Sequence, residues 1–388
     1  MTPSTADRSG ASLTVRGIPT ADHLGFLRAA HGPAHASFMQ CPSWAGMRPG
    51  WRAESIGWFD GSRLCGVGLV SYRDVPLLGA LAYLAEGPTV DWAALGPKAV
   101  TTSLLDFLRL GRVFTVRMTP AVVRHRWRVE TLRAAIRDGG PRRLRDLPPD
   151  DVSETATRLV EALRDLGWTQ YEAPTSGFGG RMHPRYRSHV PLDGAADPSE
   201  RLDASWRRNL RKAAASGVTV TTSTPDMTDP VDLPAFHEIY LETAQRDGFP
   251  PLPLTYFERM LRDLRAEDPR RVDLYLAARD GQVHAGALLT RVGDEVSYVY
   301  GASSSAGRAW RPGNTMQWRM LSDAVAGGAA VYDLRGISDT LDQDDPLFGL
   351  LRFKLGLGGD AVELVGEWDF ALRGVRHRAV DAYLNRRG

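Results

Sequence analysis

Residues 273–303 read DLYLAARDGQVHAGALLTRVGDEVSYVYGAS. Three apolar runs in this stretch are separated by turn signals, and the dipeptide Asp280-Gly281 is typical of a tight hairpin. Residues 54–92 repeat the same order of apolar runs around a second such dipeptide, Asp60-Gly61. Both stretches predict an antiparallel three-strand meander, so the chain carries a weak internal duplication with one copy in each half.

A helical pattern follows each meander. Apolar residues recur with helical spacing over 99–110 after the first copy and over 315–325 after the second. Strands and helices in this order predict an α/β (α+β) fold. Between the two copies the sequence predicts helices over 152–166, 205–216, 234–245 and 255–266, an edge strand over 186–192, and a linker over 193–199.

A meander followed by a loop and a helix resembles the N-acetyltransferase-like (GNAT) domain. The duplication therefore predicts two tandem GNAT-like domains. The first is expected to span residues 1–193 and to be completed by residues 366–388, and the second to span residues 194–365. No heptad repeat is long enough for a long coiled-coil arm.

The composition is that of a globular protein. The chain has 388 residues, 43% hydrophobic and 24% charged, which is enough for two domains with cores of their own. Its two cysteines, Cys41 and Cys65, exclude a disulfide framework and a cysteine-based zinc cluster. The first ten residues are polar, and no apolar run approaches the roughly 18 residues of a membrane helix. We therefore expect a cytoplasmic protein without a metal.

Motifs of hydrolases, zinc proteases, NTPases and dinucleotide enzymes are absent from the sequence. Acetyl-CoA is held in GNAT-like domains by backbone N–H groups of a glycine-rich loop that opens a helix. The corresponding loops here, residues 95–98 and 308–314, lack spaced glycines and contain prolines, which have no N–H to donate. Acetyl-CoA is therefore not expected as a cofactor.

A basic helix is predicted around the motif WRRNLRK, residues 206–212. Like charges one helical turn apart destabilise a helix unless an anion lies nearby. That anion is either a phosphate backbone or a set of acidic side chains of the protein itself. The net charge of the chain is only +2, so any contact with nucleic acid is confined to a local basic patch. The cations of this motif are Arg207, Arg208, Arg211 and Lys212.

Lysine is rare in this chain. Of 48 basic residues only Lys98, Lys212 and Lys354 are lysines, so a retained lysine suggests chemistry that a guanidinium does not supply. Lys354 follows Phe353 and precedes a glycine-rich run, which favours a cation beside an aromatic ring and approachable backbone. The alternative is a surface loop between strands.

Six segments, in chain order, resemble the FemABX family, and within it the lipid II glycyltransferases of actinobacteria. Members of this family are aminoacyl-tRNA-dependent peptidyl transferases that add bridge amino acids to peptidoglycan precursors, and their fold consists of two GNAT-like domains. The resemblance covers most of the chain. The segments are SFMQCPSWAGMRPGW (37–51), YLAEGPTVDW (83–92), WRRNLRKAAASGV (206–218), YVYGASS (298–304), YDLRGISDT (332–340) and GLLRFKLGLGGDAVELVGEWD (349–369).

The resemblance implies roles for individual residues. Lys354 with Phe353 matches a pair that stabilises the transition state of aminoacyl transfer, and Asp91 matches a cleft carboxylate once considered a base. The basic helix is assigned to tRNA. Residues assigned to the acceptor site are Arg48, at the position of a phosphate-binding lysine, Trp44, Tyr83, Leu252, Tyr256 and Tyr300.

One position departs from the family pattern. The family's F-x-P-R-x-L-x-Y-F carries an arginine for the acceptor diphosphate, whereas this chain reads FPPLPLTYF over residues 249–257, with Leu252 in that place. Loss of a charge-assisted contact costs about 1.5–3 kcal/mol. Either Arg48 alone suffices, or the acceptor is not linked to a nucleotide or lipid diphosphate.

The reaction implied by the resemblance is attack of an acceptor amine on the ester that joins an amino acid to tRNA. Aminoacyl-tRNA is then a co-substrate, and the ester needs neither ATP nor metal. Three functions remain open: transfer to a peptidoglycan precursor (lipid II or UDP-MurNAc-pentapeptide), with peripheral membrane contact if lipid II is used; transfer to a small amine in natural-product synthesis; and a non-catalytic binding protein. The sequence indicates neither the amino acid nor the oligomeric state.

Overall fold

The structure, a computed structural model, describes residues 13–30, 32, 36–171, 183–192, 197–223 and 232–374. In chain order its strands are β1 (Thr14–Gly17), β2 (Arg52–Asp60), β3 (Arg63–Val75), β4 (Gly79–Leu84), β5 (Thr89–Val90), β6 (Val113–Met118), β7 (Val123–Trp127), β8 (Asp151–Val152), β9 (Thr169–Gln170), β10 (Tyr186–Pro191), β11 (Thr219–Ser223), β12 (Val272–Arg279), β13 (Gln282–Val292), β14 (Glu295–Ser303), β15 (Val331–Ile337), β16 (Asp360–Leu364) and β17 (Trp368–Ala371).

The described ranges contain ten α-helices, the longest of which has 16 residues. None of these helices is long and apolar enough to cross a membrane. They are α1 (Thr20–Ala29), α2 (Trp92–Leu95), α3 (Pro97–Arg109), α4 (Val129–Arg137), α5 (Glu154–Asp165), α6 (Ala204–Ala215), α7 (Asp232–Asp247), α8 (Leu254–Glu267), α9 (Pro312–Ala326) and α10 (Phe348–Gly356).

The strands form two sheets of related topology. The first has the order β1-β2-β3-β4-β6-β17-β9, with β5 beside β3, and the second has the order β11-β12-β13-β14-β15-β10-β16-β7-β8. In each sheet a three-strand meander is followed by a helix and a parallel strand: β2-β3-β4, α3 and β6 in the first, and β12-β13-β14, α9 and β15 in the second. The predicted meanders and the mixed α/β architecture are confirmed.

Both hairpin turns consist of two residues, but their positions relative to the Asp-Gly dipeptide differ by one residue. Arg279 pairs with Gln282, and both Asp280 (φ 50°) and Gly281 (φ 78°) have the positive φ that a tight hairpin turn requires. In the first copy Asp60 still belongs to β2 and pairs with Arg63, so that the turn consists of Gly61 and Ser62. The Asp-Gly dipeptide therefore locates both hairpins, although its aspartate lies inside the turn only in the second.

The prediction of an edge strand over 186–192 is wrong, because β10 pairs with β15 on one side and with β16 on the other. Arg187 and His189 make this segment look solvent-exposed in sequence, but both side chains are buried and face carboxylates. The boundary expected at residue 193 does not coincide with the division between the sheets, since β7, β8 and β10 precede it and lie in the second sheet. β17, from the segment 366–388, pairs with β6 in the first sheet. The domain limits themselves stay a prediction.

One hydrophobic core joins the two sheets. Val67 and Leu69 of β3 pack in the same cluster as Leu276 and Leu288 of the second meander. Helices α1, α7 and α8 complete this cluster, while separate cores lie under α3 and α5 and under α6 and α9. The polar residues described below lie where the two sheets meet.

We expect Gly79→Ala to be more destabilising than Gly61→Ala. A Cβ at Gly79 (φ 110°) would lie 2.1 Å from the carbonyl oxygen of Arg112, whereas a Cβ at Gly61 (φ 62°) meets no atom within 4 Å. Backbone strain alone costs about 1–3 kcal/mol at such positions, and a clash adds to that cost. Urea unfolding measures both variants, and equal losses would contradict the close approach of β4 to the strand beside it.

Candidate functional site

Two arginines and two carboxylates form a buried cluster, the ionic core, between the sheets. It consists of Glu86, Arg187, Asp333 and Arg335. Arg187 contacts both Glu86 and Asp333, the latter at 3.1 Å, and Arg335 contacts Glu86 at 2.6 Å and Asp333 at 3.3 Å. Glu86 is 1% exposed and Asp333 is fully buried. Burial acts to raise the pKa of Glu86, but Arg187 and Arg335 hold it well below its usual range.

The backbone beside the ionic core has an unusual conformation. Arg335 has φ 63°, and its N–H donates to the carboxylate of Asp333 at 2.6 Å. Glu86 also has positive φ, at 55°, and its N–H donates to Thr119. Positive φ is costly for such side chains and is retained only where surrounding contacts impose it. Each of these irregular backbones lies at the end of a parallel strand pair, β4/β6 or β14/β15.

Lys354 lies on α10 and is 4% exposed. Its ammonium donates to three consecutive backbone carbonyls of β15, those of Leu334 (2.7 Å), Arg335 (3.3 Å) and Gly336 (2.6 Å). Burial lowers the pKa of Lys354 to about 7, although the nearby carboxylate of Asp333 acts to raise it. Lys354 therefore changes its protonation near neutral pH.

Phe353 and Lys354 point to different neighbours from α10. Its ring packs against Trp206 with centroids 4.9 Å apart, and the Trp206 indole N–H donates to the carbonyl of Phe353. The expected aromatic ring beside the lysine is therefore not Phe353. The segment is also helical rather than a surface loop, so that neighbouring residues point to different sides of α10.

The aromatic residues Trp51 and Tyr83 surround the guanidinium of Arg48. That group lies 4.6 Å from the ring centre of Tyr83 and 5.3 Å from that of Trp51. The Tyr83 hydroxyl is 2.6 Å from His183 Nε2, and His183 Nδ1 is 3.6 Å from Glu86. Burial lowers the pKa of His183 to about 3, which keeps it neutral at physiological pH. Tyr83 and His183 thus lie between Arg48 and the ionic core.

Tyr256 and Tyr300 form a hydroxyl pair, with oxygens 2.9 Å apart. Burial raises the pKa of both, while the charge of Arg48 acts to lower that of Tyr256 and the charge of Arg335 that of Tyr300. The structure thus pairs Arg48 with Tyr83 and Tyr256 with Tyr300. Their role in acceptor binding stays a prediction.

Trp44 and Leu252, also assigned to the acceptor, lie in the core that joins the sheets. Trp44 is buried and packs edge-on against Phe38, with ring centroids 4.9 Å apart. Leu252 is half-buried, and its carbonyl accepts a hydrogen bond from His237 at 3.0 Å. Trp44 therefore presents little surface to a ligand, whereas Leu252 retains some.

Asp91 is the N-cap of α2. Its Oδ1 accepts the N–H groups of Ala93 (3.0 Å) and Ala94 (2.9 Å). The residue also lines a cavity of about 410 Å³ together with His189 and Arg126. Its carboxylate thus has a structural function, and its role as a base stays a prediction.

The predicted basic helix is α6, and Gly217 ends it with φ 72°. Arg207, Arg208, Arg211 and Lys212 are all exposed, and none forms an ion pair with an acidic side chain in the part of the chain that the structure describes. Whether their anion is a phosphate backbone or acidic side chains of the protein stays open.

A basic cleft of about 630 Å³ lies beside α6. Phe353 and Trp206 contribute its aromatic wall, and the acidic residue Asp203 in its lining caps α6 through the Trp206 N–H. The four cations that line it come from two helices, α6 and α10, and from the residue before α9: they are Arg208, Lys212, Arg311 and Arg352. Arg207 and Arg211 lie outside this lining.

No sequence motif assigns a role to the residues of the ionic core or to His183. Glu86 lies in the segment YLAEGPTVDW, and Asp333 and Arg335 lie in YDLRGISDT, but the resemblance of these segments implies no role for them. A charged residue within an otherwise apolar strand is the signal that could have identified Asp333. His183 follows residues outside the described ranges and has no such pattern around it.

Two linked units with GNAT-like topology and a shared polar site define the class of protein. Residues 29–280 and 273–384 match the FemAB family, and the chain belongs to this family. A lipid II:glycine glycyltransferase of Staphylococcus aureus (strain COL) is 23% identical over 425 residues, covering 92% of each chain. This relationship supports a transferase of peptidoglycan biosynthesis.

Solved structures agree on the fold. The crystal structure of FemX matches with a TM-score of 0.75 and 21% identity, covering 94% of this chain and 99% of that one. A tandem GNAT protein from the clavulanic acid biosynthesis pathway matches with a TM-score of 0.51 and 13% identity, covering 93% and 98%. The prediction of two tandem GNAT-like units is thereby confirmed.

We expect Lys354→Ala and Lys354→Arg each to lower turnover at least about tenfold, or ~1.4 kcal/mol. If the ammonium form is the active one, the wild-type rate falls as pH rises through about 7, where Lys354 loses its proton. An arginine stays charged throughout this range, so the residual activity of Lys354→Arg should lack that decline.

Turnover against pH, with thermal unfolding as a check on folding, measures both effects. The exposed lysine variant Lys98→Ala is the matched control and should leave the profile unchanged. An arginine variant with full activity would refute a role specific to lysine.

Proposed function

We propose that the protein transfers an amino acid from aminoacyl-tRNA to an amine of a peptidoglycan precursor, lipid II or UDP-MurNAc-pentapeptide. The position of α10 carries this proposal. Phe353 faces the basic cleft, while the adjacent Lys354 reaches the backbone of the ionic core. Tyr83 and His183 lie between that core and Arg48. One helix thus connects a surface suited to a polyanion with the residues assigned to the acceptor. Family membership and the glycyltransferase relative support the same reaction.

The donor is assigned to the basic cleft. Its four cations and aromatic wall suit the phosphates and bases at the end of a tRNA, since phosphate contacts supply most non-specific affinity and bases stack on aromatic rings. Arg207 and Arg211, on the neighbouring face of α6, extend the basic surface beyond the cleft.

The chemistry is aminolysis of an ester. The acceptor amine attacks the carbonyl carbon of the aminoacyl ester; a C–N bond forms, the C–O bond to the ribose breaks, the amine loses a proton and the ribose oxygen gains one. The amine's proton goes to Asp91 or to a carboxylate of the substrate. Because the ester is already activated, the proposed reaction uses no acetyl-CoA, ATP or metal.

Lys354 is assigned to the negative charge that develops during this attack. The hydrogen bond from Lys354 to the Arg335 carbonyl is the longest of the three, at 3.3 Å. It is therefore the one that most easily exchanges for a contact with a substrate oxygen. The other two bonds keep the ammonium in place.

A second candidate is aminoacyl transfer to a small amine in natural-product synthesis, which Leu252 favours because it places an apolar side chain where the family pattern has an arginine. The third candidate, a non-catalytic binding protein, is disfavoured by the retained pair Phe353 and Lys354. For the leading candidate we place the protein in the cytoplasm, with peripheral membrane contact when lipid II is the acceptor.

Replacement of Arg208 and Lys212 by glutamine should weaken binding of different aminoacyl-tRNAs to a similar degree. Each lost phosphate contact lowers the slope of log affinity against log salt by about one unit. Fluorescence anisotropy at several salt concentrations measures the slope. The exposed Arg158 of α5 supplies the control, Arg158→Gln, and unchanged slopes in the α6 variant would remove the donor from this cleft.

Leu252→Arg distinguishes the two acceptor classes. If a diphosphate binds near Arg48, the added guanidinium should raise affinity for UDP-MurNAc-pentapeptide by up to about tenfold. A small uncharged acceptor should instead bind less well, because the new cation would lack a partner. Leu252→Gln controls for the loss of leucine packing, and calorimetry measures both affinities. No gain over the glutamine variant would place the diphosphate elsewhere.

A further inference from the structure

Two leucines protrude from the end of the first sheet at which the parallel strands β4 and β6 begin. Leu77 is 92% exposed and Leu110 is 88% exposed, the highest values among large hydrophobic side chains in the described ranges. Leu77 lies two residues before β4 and Leu110 three residues before β6, and the Ala80 N–H donates to the Arg112 carbonyl at 2.9 Å. Both leucines therefore project from one end of the molecule.

Leu77 occupies a position that disfavours leucine. The Leu78 N–H donates to the carbonyl of Val75 at 3.1 Å, which closes a turn with Pro76 second and Leu77 third. Leu77 has φ 66°, a conformation that such a turn usually gives to glycine or asparagine. A leucine here bears both backbone strain and full exposure to water, which indicates that its side chain serves a contact outside this chain.

Five arginines surround the two leucines. Two of these arginines form ion pairs with acidic residues of the same surface: Arg52 with Asp74 at 3.3 Å and Arg109 with Asp106 at 2.7 Å. Arg373 donates to the carbonyl of Gly111 at 3.2 Å, which holds it beside Leu110. The remaining cations, Arg73 and Arg112, are exposed and form no ion pair within the part of the chain described. We call this surface the leucine tip; it consists of Leu77, Leu110, Arg73, Arg112 and Arg373. The leucine tip thus has a net positive charge.

We propose that the leucine tip docks on an anionic membrane surface, with Leu77 and Leu110 inserted among the lipids and the arginines against their phosphates. Apolar side chains within a basic surface are the combination that binds such an interface. A second copy of the chain is a poorer partner, because it would bring like charges together.

The inference rests on the proposed function only in its purpose, which is access to a lipid-linked acceptor. Tyr83 lies six residues beyond Leu77, so at about 3.3 Å per residue the tip and the acceptor residues are within about 20 Å. Arg52, paired with Asp74 at the tip, directly follows Trp51, which contacts Arg48. A lipid-linked precursor at the membrane surface would thus lie within reach of the acceptor residues while the tip holds the surface.

Co-sedimentation of the whole protein with vesicles tests the proposal without any transfer reaction. We expect binding to vesicles containing 30% phosphatidylglycerol, at least about tenfold weaker binding to purely zwitterionic vesicles, and weakening of the former by salt. Leu77→Asn combined with Leu110→Asn should reduce binding at least about fivefold, as should Arg73→Gln combined with Arg112→Gln. Asparagine suits the turn at Leu77, and thermal unfolding checks that each variant is folded.

The control is Leu241→Asn, an exposed leucine on α7, which should bind like the wild type. Equal binding by the tip variants would overturn the proposal, as would a concentration-dependent dimer that the leucine variants abolish, without vesicle binding. Failure of the proposed function is a separate result, the absence of transfer with a water-soluble acceptor, which leaves vesicle binding intact.

Discussion

The contact of Glu86 with Arg187 and Arg335 is the constraint on which the rest of the site depends. Glu86 follows a strand of the first sheet, and both arginines belong to the second. Charges this deeply buried lose their hydration, and loss of one partner of a buried pair typically costs about 3–5 kcal/mol. Ser37, which donates to Glu86 at 2.6 Å, adds to the hydrogen bonds that offset this cost. The ionic core therefore fixes how the two halves meet.

The other polar groups of the site take their positions from this core. Asp333 holds the backbone of Arg335 in its left-handed conformation, and the carbonyls of that segment in turn hold the ammonium of Lys354. On the other side, His183 connects Glu86 to the hydroxyl of Tyr83, whose ring lies against Arg48. A lysine with a pKa near neutrality is a direct result of this burial. Arginine in its place would stay charged throughout this range.

Local patterns in the sequence predict what depends on local structure. The two meanders, the helices α3 and α9, and the basic helix α6 all follow from apolar spacing and turn residues within short segments. The interior position of β10 could not be predicted in this way, because its Arg187 and His189 are buried through partners far away in sequence. The resemblance identified segments that contain Glu86 and Asp333, but only the fold brings these carboxylates together. Trp44 shows the opposite case, since a residue in a matching segment packs in the core.

A transfer assay tests the central claim most directly. The protein is incubated with a mixture of aminoacyl-tRNAs and either UDP-MurNAc-pentapeptide or lipid II, and the products are read by mass spectrometry. We expect an acceptor heavier by one amino-acid residue, joined through an amide bond. Its formation should depend on charged tRNA and be strongly reduced in Lys354→Ala. An acceptor left unmodified by every charged tRNA, or modified equally well with deacylated tRNA, would contradict it.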